Sequence, residues 1–159
     1  MKITLITVGK LKENFWKEAI AEYRKRLSRY CNLEIHEVSD EKTPDNAGQL
    51  IEDSIRTKEG SRILKLIKED AYVIVLAVEG KKLSSEALAD KVDQLGISGK
   101  SHIVFIIGGS IGVSNEVMKR ADFALSFSDM TFPHQLIRVV LLEQIYRCFR
   151  INNGEPYHK

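Results

Sequence analysis

The stretch of residues 102–112, HIVFIIGGSIG, constrains the fold of this chain more than any other. Residues 103–107 are an unbroken apolar run rich in β-branched side chains, which is typical of a strand buried on both faces at the centre of a parallel sheet. Gly108 and Gly109 end the run and leave room for a closely approaching backbone or ligand. Open α/β sheets bind their ligands at the carboxyl ends of their strands. The stretch therefore predicts a central strand that leads into a binding loop.

Other short apolar runs alternate with amphipathic segments along the whole chain. Such alternation is typical of a parallel sheet with helices packed on both of its faces. At 159 residues, with 43% hydrophobic side chains, the chain is long enough for one domain with a substantial core. The sequence therefore predicts a single α/β domain over residues 1–159, with a parallel sheet of about five strands. The strands are predicted at residues 3–8, 33–38, 72–78, 103–107 and 124–127.

The predicted helices carry start and stop signals. Ser84 and Ser114 each precede a helical segment as N-cap residues. Between the second and third strands, apolar spacing indicates two helical pieces interrupted near Gly60, and we interpret this part of the chain as scaffold. The last helix, over residues 134–151, is apolar on more than one side. One sheet does not cover such a helix, so we expect a homodimer that forms through it.

Composition excludes several classes of protein. The formal net charge of +2 and the pI near 8.5 are too mild to indicate nucleic-acid binding without local clusters. Cys31 and Cys148 lie outside any CxxC pattern, and the four histidines show no i, i+4 spacing, so we expect no metal site. No stretch has the length and apolarity of a secretory core or a membrane span. This predicts a cytoplasmic protein with no membrane association.

Local basic clusters occur near the N-terminus. Lys10 and Lys12 follow the first strand, and the predicted helix after them carries basic residues opposite its apolar stripe. This basic face is suited to RNA phosphates, but it also fits an ordinary solvated surface because Glu18 and Glu22 are mixed in. The charge pattern leaves both interpretations open. The basic residues of this face are Lys17, Arg24, Lys25, Arg26 and Arg29.

The motifs of common nucleotide-binding and hydrolytic enzymes are weak or missing. GGSIG, residues 108–112, lacks the opening of a dinucleotide fingerprint, and neither a P-loop nor a nucleophile elbow occurs. Three loops that each follow a predicted buried strand remain as candidates. They either enclose a flat, adenosine-like group or are merely tight connections. These loops are residues 76–80, 108–112 and 127–132.

Four segments together carry a resemblance to a known family. They are YVIVLAVEG from Tyr72, IVFIIGGSIG from Ile103, FSDMTFPHQLIR from Phe127, and the terminal PYHK. In this combination the chain resembles the minimal SPOUT-class methyltransferases, specifically the family that methylates N3 of a pseudouridine in large-subunit ribosomal RNA. The resemblance covers essentially the whole chain and is most specific from Leu76 onward. It implies a SPOUT fold with a trefoil knot in the C-terminal half, an exception to the rule against threaded chains.

The resemblance also implies an activity and its partners. The expected enzyme takes its methyl group from S-adenosylmethionine, uses no metal, and acts on 23S rRNA in assembled ribosomes. It is expected to be a homodimer packed through its C-terminal helix. By the family's pattern, the residues that contact the methyl donor are Leu76, Gly108, Phe127, Ser128, Asp129, Met130, Thr131 and Phe132.

Candidate catalytic residues lie on and after the last helix. The resemblance implies that Tyr157 and His158 lie near the target base. N3 of that base is a weak nucleophile until it loses its proton, and His158 titrates in a suitable range to take it. Arg147 or Lys159 is suited to stabilise negative charge on the carbonyl oxygens of the base. The sequence leaves open which group accepts the proton.

Two other functions fit the same pattern. A nucleotide- or flavin-binding α/β protein needs the same loops, and a non-catalytic ribosome-associated module needs the same basic faces. Binding of S-adenosylmethionine in preference to flavin or NAD separates a methyltransferase from the first alternative. Transfer of a labelled methyl group to ribosomes separates it from the second.

Overall fold

A computed structural model describes residues 1–156, in which five strands alternate with five helices. Every strand predicted from the sequence is present. The elements in chain order are β1 (Lys2–Val8), α1 (Asn14–Leu27), β2 (Asn32–Val38), α2 (Gln49–Leu64), β3 (Tyr72–Lys82), α3 (Ser85–Ile97), β4 (His102–Ile107), α4 (Asn115–Arg120), β5 (Phe123–Ser126) and α5 (His134–Asn152).

The five strands join one sheet in the order β2-β1-β4-β3-β5, and every neighbouring pair is parallel. β4 is central, as its apolar sequence predicts. Phe105 of β4 lies opposite Leu5 of β1 on one side and Ile74 of β3 on the other. Because all strands point the same way, their carboxyl ends meet on one side of the molecule, which we call the carboxyl end of the sheet. The opposite side is its amino end.

Helices cover both faces of the sheet, and the alternation of side chains along the strands divides the core in two. Ile103 and Phe105 pack on one face with α1, α3 and α5, whereas Val104 and Ile106 pack on the other face with α2 and α4. All four side chains are fully buried. Burial on both faces explains why this strand is an unbroken apolar run instead of an alternating one.

The two predicted N-caps are confirmed. The hydroxyl of Ser84 accepts a hydrogen bond from the N–H of Ala87 at 3.1 Å, and that of Ser114 accepts one from Val117 at 3.3 Å. Each bond satisfies a backbone donor that the first turn of a helix leaves unpaired. The caps therefore fix where α3 and α4 begin.

The form of α2 differs from its prediction. The helix is continuous from Gln49 to Leu64 and is not interrupted near Gly60, which is buried within it. A β-carbon on Gly60 would lie 3.0 Å from Cβ of Ser114 and 3.3 Å from Cγ2 of Val117, and would collide with the Ser114 hydroxyl. The glycine therefore lets α4 approach α2 closely. The predicted break was wrong because a neighbouring helix occupies the space of the missing side chain, which makes glycine tolerable inside α2.

β3 extends further than predicted, to Lys82, with an irregularity in its pairing. Leu76 and Lys81 both lie opposite Leu125 of β5, so the ladder skips residues 77–80. A bulge of this kind bends a strand and redirects its side chains. This bulge lies at the carboxyl end of the sheet, next to the end of β4.

The longest helix, α5, packs against both α1 and α3. Tyr23 of α1 donates a hydrogen bond to Glu143, and Ser85 of α3 donates one to Gln144, both at 2.7 Å. These helices cover part of the apolar surface from which the homodimer was predicted. Homodimer and trefoil knot stay predictions. Neither α5 nor any other helix within residues 1–156 combines the length and the apolarity that a membrane span requires.

Candidate functional site

A cavity of about 1120 Å³ opens at the carboxyl end of the sheet, where β4, β3 and β5 finish side by side. Its walls are the loops after these three strands, one face of α2, the start of α4 and the first turn of α5. Polar and apolar groups share the lining. Small-molecule sites of α/β folds are concave surfaces in this position. The three loops that the sequence singles out therefore meet at one cavity.

Seven of the eight residues predicted to contact a methyl donor line this cavity. Asp129 differs, because its side chain is 84% exposed and its carboxylate accepts a hydrogen bond from the ammonium of Lys82. An ion pair this exposed contributes little to stability. The seven residues are Leu76, Gly108, Phe127, Ser128, Met130, Thr131 and Phe132.

The loop after β4 folds back on itself, and its glycines make this possible. A β-carbon on Gly108 would lie 2.8 Å from Cγ1 of Val113 and 2.9 Å from the carbonyl carbon of Gly112. The N–H of Gly112 donates to the carbonyl oxygen of Gly109 at 3.1 Å, and Gly112 has a φ of +82°, which glycine adopts without strain. The loop is thus a tight connection, and at Gly108 and Gly109 it lines the cavity with backbone alone.

The loop between β5 and α5 presents apolar side chains to the cavity. The N–H of Met130 donates to the hydroxyl of Ser128 at 3.0 Å, and the hydroxyl of Ser126 donates to the carbonyl oxygen of Ser128 at 3.1 Å. Such local bonds hold a turn in one conformation. Met130 is 76% exposed, and Phe132 is also exposed. Exposed apolar side chains around a cavity are suited to contact a flat ring.

One wall of the cavity comes from α2, which sequence analysis interpreted as scaffold. The guanidinium of Arg56 donates to the carbonyl oxygen of Ile111 at 3.1 Å and pairs with Asp53 at 2.5 Å, so it ties α2 to the loop after β4. A polar stripe at helical spacing was the available signal for this wall. The lining residues of α2 are Gln49, Asp53, Arg56 and Thr57.

Arg138 of α5 is only 2% exposed and was not among the residues predicted from the sequence. Its Nη2 donates to the carbonyl oxygens of Val8 at 2.9 Å and Gly9 at 3.0 Å, and its Nη1 pairs with Glu37 at 2.9 Å. Burial lowers the pKa of this guanidinium, while the Glu37 carboxylate opposes the shift. The arginine ties the start of α5 to the carboxyl ends of β1 and β2. Its signal is a basic residue within the buried stripe of an apolar helix.

His134, the first residue of α5, lines the cavity. Its Nδ1 lies 3.4 Å from Nη2 of Arg138. Burial lowers the pKa of His134, the positive charges of Arg138 and Lys12 lower it further, and Asp40 opposes them. The imidazole is therefore neutral near pH 7 and offers a hydrogen bond to the cavity instead of a charge.

Glu59 of α2 lies behind the loop after β4. The residue is 4% exposed, and its Oε2 has no hydrogen-bond partner within the described part of the chain. This atom would lie 2.9 Å from a β-carbon on Gly109, so the glycine also leaves room for the carboxyl group. Burial raises the pKa of Glu59, and a hydrogen bond from the N–H of Glu41 opposes the shift. The carboxyl group of Glu59 therefore keeps its proton to a higher pH than an exposed glutamate does.

The predicted catalytic residues lie away from this cavity or outside the described residues. Arg147 of α5 donates to Glu143 from Nη2 at 2.8 Å and from Nε at 3.2 Å. Thirteen positions separate it from His134 on the same helix, which corresponds to about 20 Å at 1.5 Å per residue. Tyr157 and His158 lie outside the described residues, so their position near a target base stays a prediction.

Comparison with known proteins connects the chain to relatives over its full length. A family model described as "Predicted SPOUT methyltransferase" matches residues 1–158. Proteins named "Ribosomal RNA large subunit methyltransferase H" from Bifidobacterium adolescentis and Clostridium kluyveri are 64% and 61% identical over 159 residues, covering 100% of both chains. The protein of that name from Acetivibrio thermocellus is 57% identical with the same coverage.

A solved structure shares the fold. It is titled as a probable methylase family protein from Haemophilus influenzae Rd KW20, and it matches with a TM-score of 0.56. The match covers 99% of this chain and 70% of the other at 15% identity, so it bears on architecture alone. The family model and the relatives, by contrast, extend over nearly every residue, and from them we conclude that this chain belongs to the SPOUT methyltransferase family.

Proposed function

We propose that this enzyme transfers the methyl group of S-adenosylmethionine to N3 of a pseudouridine in 23S rRNA of assembled ribosomes. Ribosomal RNA is proposed as the substrate because the chain is 57% to 64% identical, over its full length, to proteins named as large-subunit ribosomal RNA methyltransferases. The family match favours methyl transfer over a flavin-binding protein or a non-catalytic ribosomal module. The pseudouridine, its N3 atom and the assembled ribosome rest on the sequence resemblance.

The chemistry of the cavity lining supports S-adenosylmethionine as the donor. When bound, this compound supplies an electrophilic methyl carbon on a positively charged sulfur. Met130 and Phe132 offer apolar surface for its adenine ring, and Gly108 offers backbone groups without a side chain in the way. The exposed carboxylates of Glu79 and Glu116 in the lining favour a cationic ligand. We assign donor binding to Leu76, Gly108, Phe127, Ser128, Asp129, Met130, Thr131 and Phe132, with Asp129 at the rim.

Catalysis in this proposal depends on positioning and on the removal of one proton. The chain holds the target base so that N3 approaches the methyl carbon in line. Tyr157 contacts the base and His158 takes the N3 proton; if the pKa of N3 lies about two units above neutral, its ionisation costs about 2.7 kcal/mol. Arg147 stabilises negative charge on the carbonyl oxygens of the base. Opposite charges neutralise each other during transfer, so the apolar side chains of the lining, Leu76, Met130 and Phe132, favour the reaction.

The proposal includes a homodimer that forms through α5. About 15 Å of helix separates Arg147 from Ile137, the residue of α5 nearest to it that lines the cavity, so we assign this arginine to a target base at the cavity of a partner subunit. The partly buried apolar residues Val139, Val140 and Phe149 supply contact surface on α5. Sedimentation should therefore give a dimer, and an active monomer would contradict this part of the proposal.

Methyl transfer to ribosomes is the direct test of the activity. Ribosomes from cells that lack the modification are incubated with labelled S-adenosylmethionine and the enzyme, and the labelled nucleotide is mapped. We expect one methyl group per ribosome, on N3 of a pseudouridine in 23S rRNA. Labelling of another atom would correct the target, and the absence of labelled rRNA would refute the function. Calorimetry should detect binding of S-adenosylmethionine and none of flavin or NAD.

Deletion of residues 157–159 tests the assignment of the proton acceptor. We expect the shortened enzyme to lose methyl transfer while its Kd for S-adenosylmethionine, measured by calorimetry, stays unchanged. The matched variant His158→Gln keeps the length of the chain and removes only the titrating group, so it should also lose activity. Full activity of either variant would contradict a role for His158.

A further inference from the structure

The loop between β1 and α1, residues 9–13, lies directly beside the cavity. A β-carbon on Gly9 would lie 3.9 Å from Cε1 of His134, which lines the cavity. The N–H of Lys12 donates to Oε1 of Gln135 at 3.3 Å. The loop is therefore in contact with the first turn of α5, on the cavity side of the sheet.

This loop is held in place by the buried guanidinium of Arg138 and by the carboxylate of Glu37, its ion-pair partner. Arg138 bonds to the carbonyl oxygen of Gly9, and its partner Glu37 also accepts a hydrogen bond from the N–H of Leu11 at 3.0 Å. Loss of such a bond leaves a buried charge without a partner, which costs far more than loss of a surface contact. These bonds hold the backbone of the loop in one conformation although the loop lies at the surface.

Two lysines extend from this fixed loop into solvent. Lys10 and Lys12 are exposed, and in residues 1–156 neither has a carboxylate within ion-pair distance. The charge of Lys12 is nonetheless felt at the cavity, because it contributes to the lowered pKa of His134. Two positive charges on a rigid backbone beside an active-site cavity form a site for anionic groups.

Most of the other basic residues of the N-terminal region lie at a different part of the molecule. α1 runs back from the carboxyl end of the sheet to its amino end, so the basic residues in its last turns lie far from the cavity. Arg24 and Arg29 border a shallow hollow together with Met1, whose backbone precedes β1. Of the two basic clusters found in the sequence, only the one formed by Lys10 and Lys12 is next to the cavity.

We infer that Lys10 and Lys12 bind backbone phosphates of the acceptor RNA that flank the target nucleotide. This inference rests on the proposed function, because it requires an RNA acceptor. Phosphate contacts fix the register of a nucleic acid without reading its bases. Lys10 and Lys12 therefore act in acceptor binding, while the donor is held by the loops on the other side of His134.

The test compares two double variants that remove the same charge. Lys10→Ala/Lys12→Ala alters the proposed site, and Lys68→Ala/Lys100→Ala removes two exposed lysines at the amino end of the sheet. For the first variant we expect a KM for ribosomal RNA about five- to tenfold higher and an unchanged kcat. The slope of log affinity against log salt should fall by about 1.4 to 1.8 for two lost phosphate contacts. The second variant should behave like the wild type.

Four outcomes would overturn the inference. A wild-type KM in Lys10→Ala/Lys12→Ala would exclude phosphate contacts at this loop, and equal losses in both variants would reduce the effect to general charge attraction. A weaker Kd for S-adenosylmethionine, measured by calorimetry, with an unchanged KM for RNA would assign the lysines to the donor. If the wild-type enzyme labels no ribosomal RNA at all, the proposed function fails and this inference fails with it.

Discussion

The two ends of the sheet are formed by the same strands, yet the arginines that bind backbone there differ in their exposure to water. At the amino end, Arg120 donates to three backbone carbonyl oxygens within residues 68–71 while 28% of its side chain stays exposed. At the carboxyl end, Arg138 makes a similar set of bonds at 2% exposure. Water is able to replace Arg120 at its partners, but it does not reach the carbonyl oxygens of Val8 and Gly9 that Arg138 binds. The carboxyl end, which holds the cavity, therefore depends on bonds for which no substitute exists.

One glycine at each end of the sheet also differs in how closely other atoms surround it. Gly99, before β4, has a φ of +83° and no atom within 4 Å of a β-carbon placed on it. Gly108, after β4, has an ordinary φ but is surrounded by backbone and side-chain atoms at 2.8 to 3.0 Å. The first glycine is needed for its own conformation and the second for the space it leaves. Gly99 therefore lies in an open turn, whereas Gly108 lies in a crowded one beside the cavity.

Replacement of the two arginines should separate the ends most clearly. Arg138→Met is expected to lower the free energy of unfolding by about 3 kcal/mol or more, because two carbonyl oxygens and Glu37 lose a buried partner. Arg120→Met should cost about 1 kcal/mol, since water reaches its site. Urea denaturation measures both. Equal losses would show that exposure does not distinguish these residues; if Arg138→Met fails to fold, Arg138→Lys provides the measurement.

Replacement of the two glycines tests whether the space around Gly108, but not the backbone conformation of Gly99, matters for donor binding. Gly108→Ala should raise the Kd for S-adenosylmethionine at least about tenfold, because the loop must shift to admit a β-carbon against its own backbone. Gly99→Ala should cost about 1 kcal/mol of stability through its positive φ and leave donor binding unchanged. Calorimetry and denaturation separate the two effects. Normal donor binding by Gly108→Ala would mean that the loop adapts without loss.

The pH dependence of stability should have opposite signs at the two ends. The pKa of Glu59 is raised by burial, so the folded state keeps its proton longer than the unfolded state, and stability falls as pH rises through the unfolded value of about 4.3. Glu59→Gln removes this loss and should be more stable than the wild type at pH 8, with no advantage near pH 3.

Glu34 of β2, near the amino end, is the matched control. Its hydrogen bond with Lys2 lowers the pKa of Glu34, so this pair contributes stability above the unfolded pKa and loses it as pH falls. Glu34→Gln should therefore be slightly less stable than the wild type at pH 8, and the difference should vanish in acid. Denaturation across pH 3 to 8 measures both variants, and a stabilising Glu34→Gln would contradict the comparison.

The features that sequence analysis identified are those encoded within a few neighbouring residues. The central position of β4 follows from its own apolar run, and the starts of α3 and α4 follow from Ser84 and Ser114. The cavity-lining loops were also found in this way, because each comes directly after a buried strand. Local pattern was sufficient wherever a residue's role depends on its own segment.

The features that sequence analysis missed depend on elements distant in the chain. Gly60 is explained by Ser114 on another helix, and the polar face of α2 gains its role from the loop at Ile111. Arg138 meets partners about 130 residues earlier, at Val8 and Gly9. Local periodicity does not encode such long-range contacts. They can be predicted only when the order of the strands is known.

The strand order itself has a consequence for how the protein forms. β4 lies between β1 and β3 although it follows both in the chain, so the sheet stays in two parts until residue 107 has been synthesised. Pairing of Leu5 with Phe105 then closes a loop of about 100 residues, and long closures of this kind are slow. The nascent chain therefore carries open strand edges until β4 has been synthesised, about two thirds of the way along the chain.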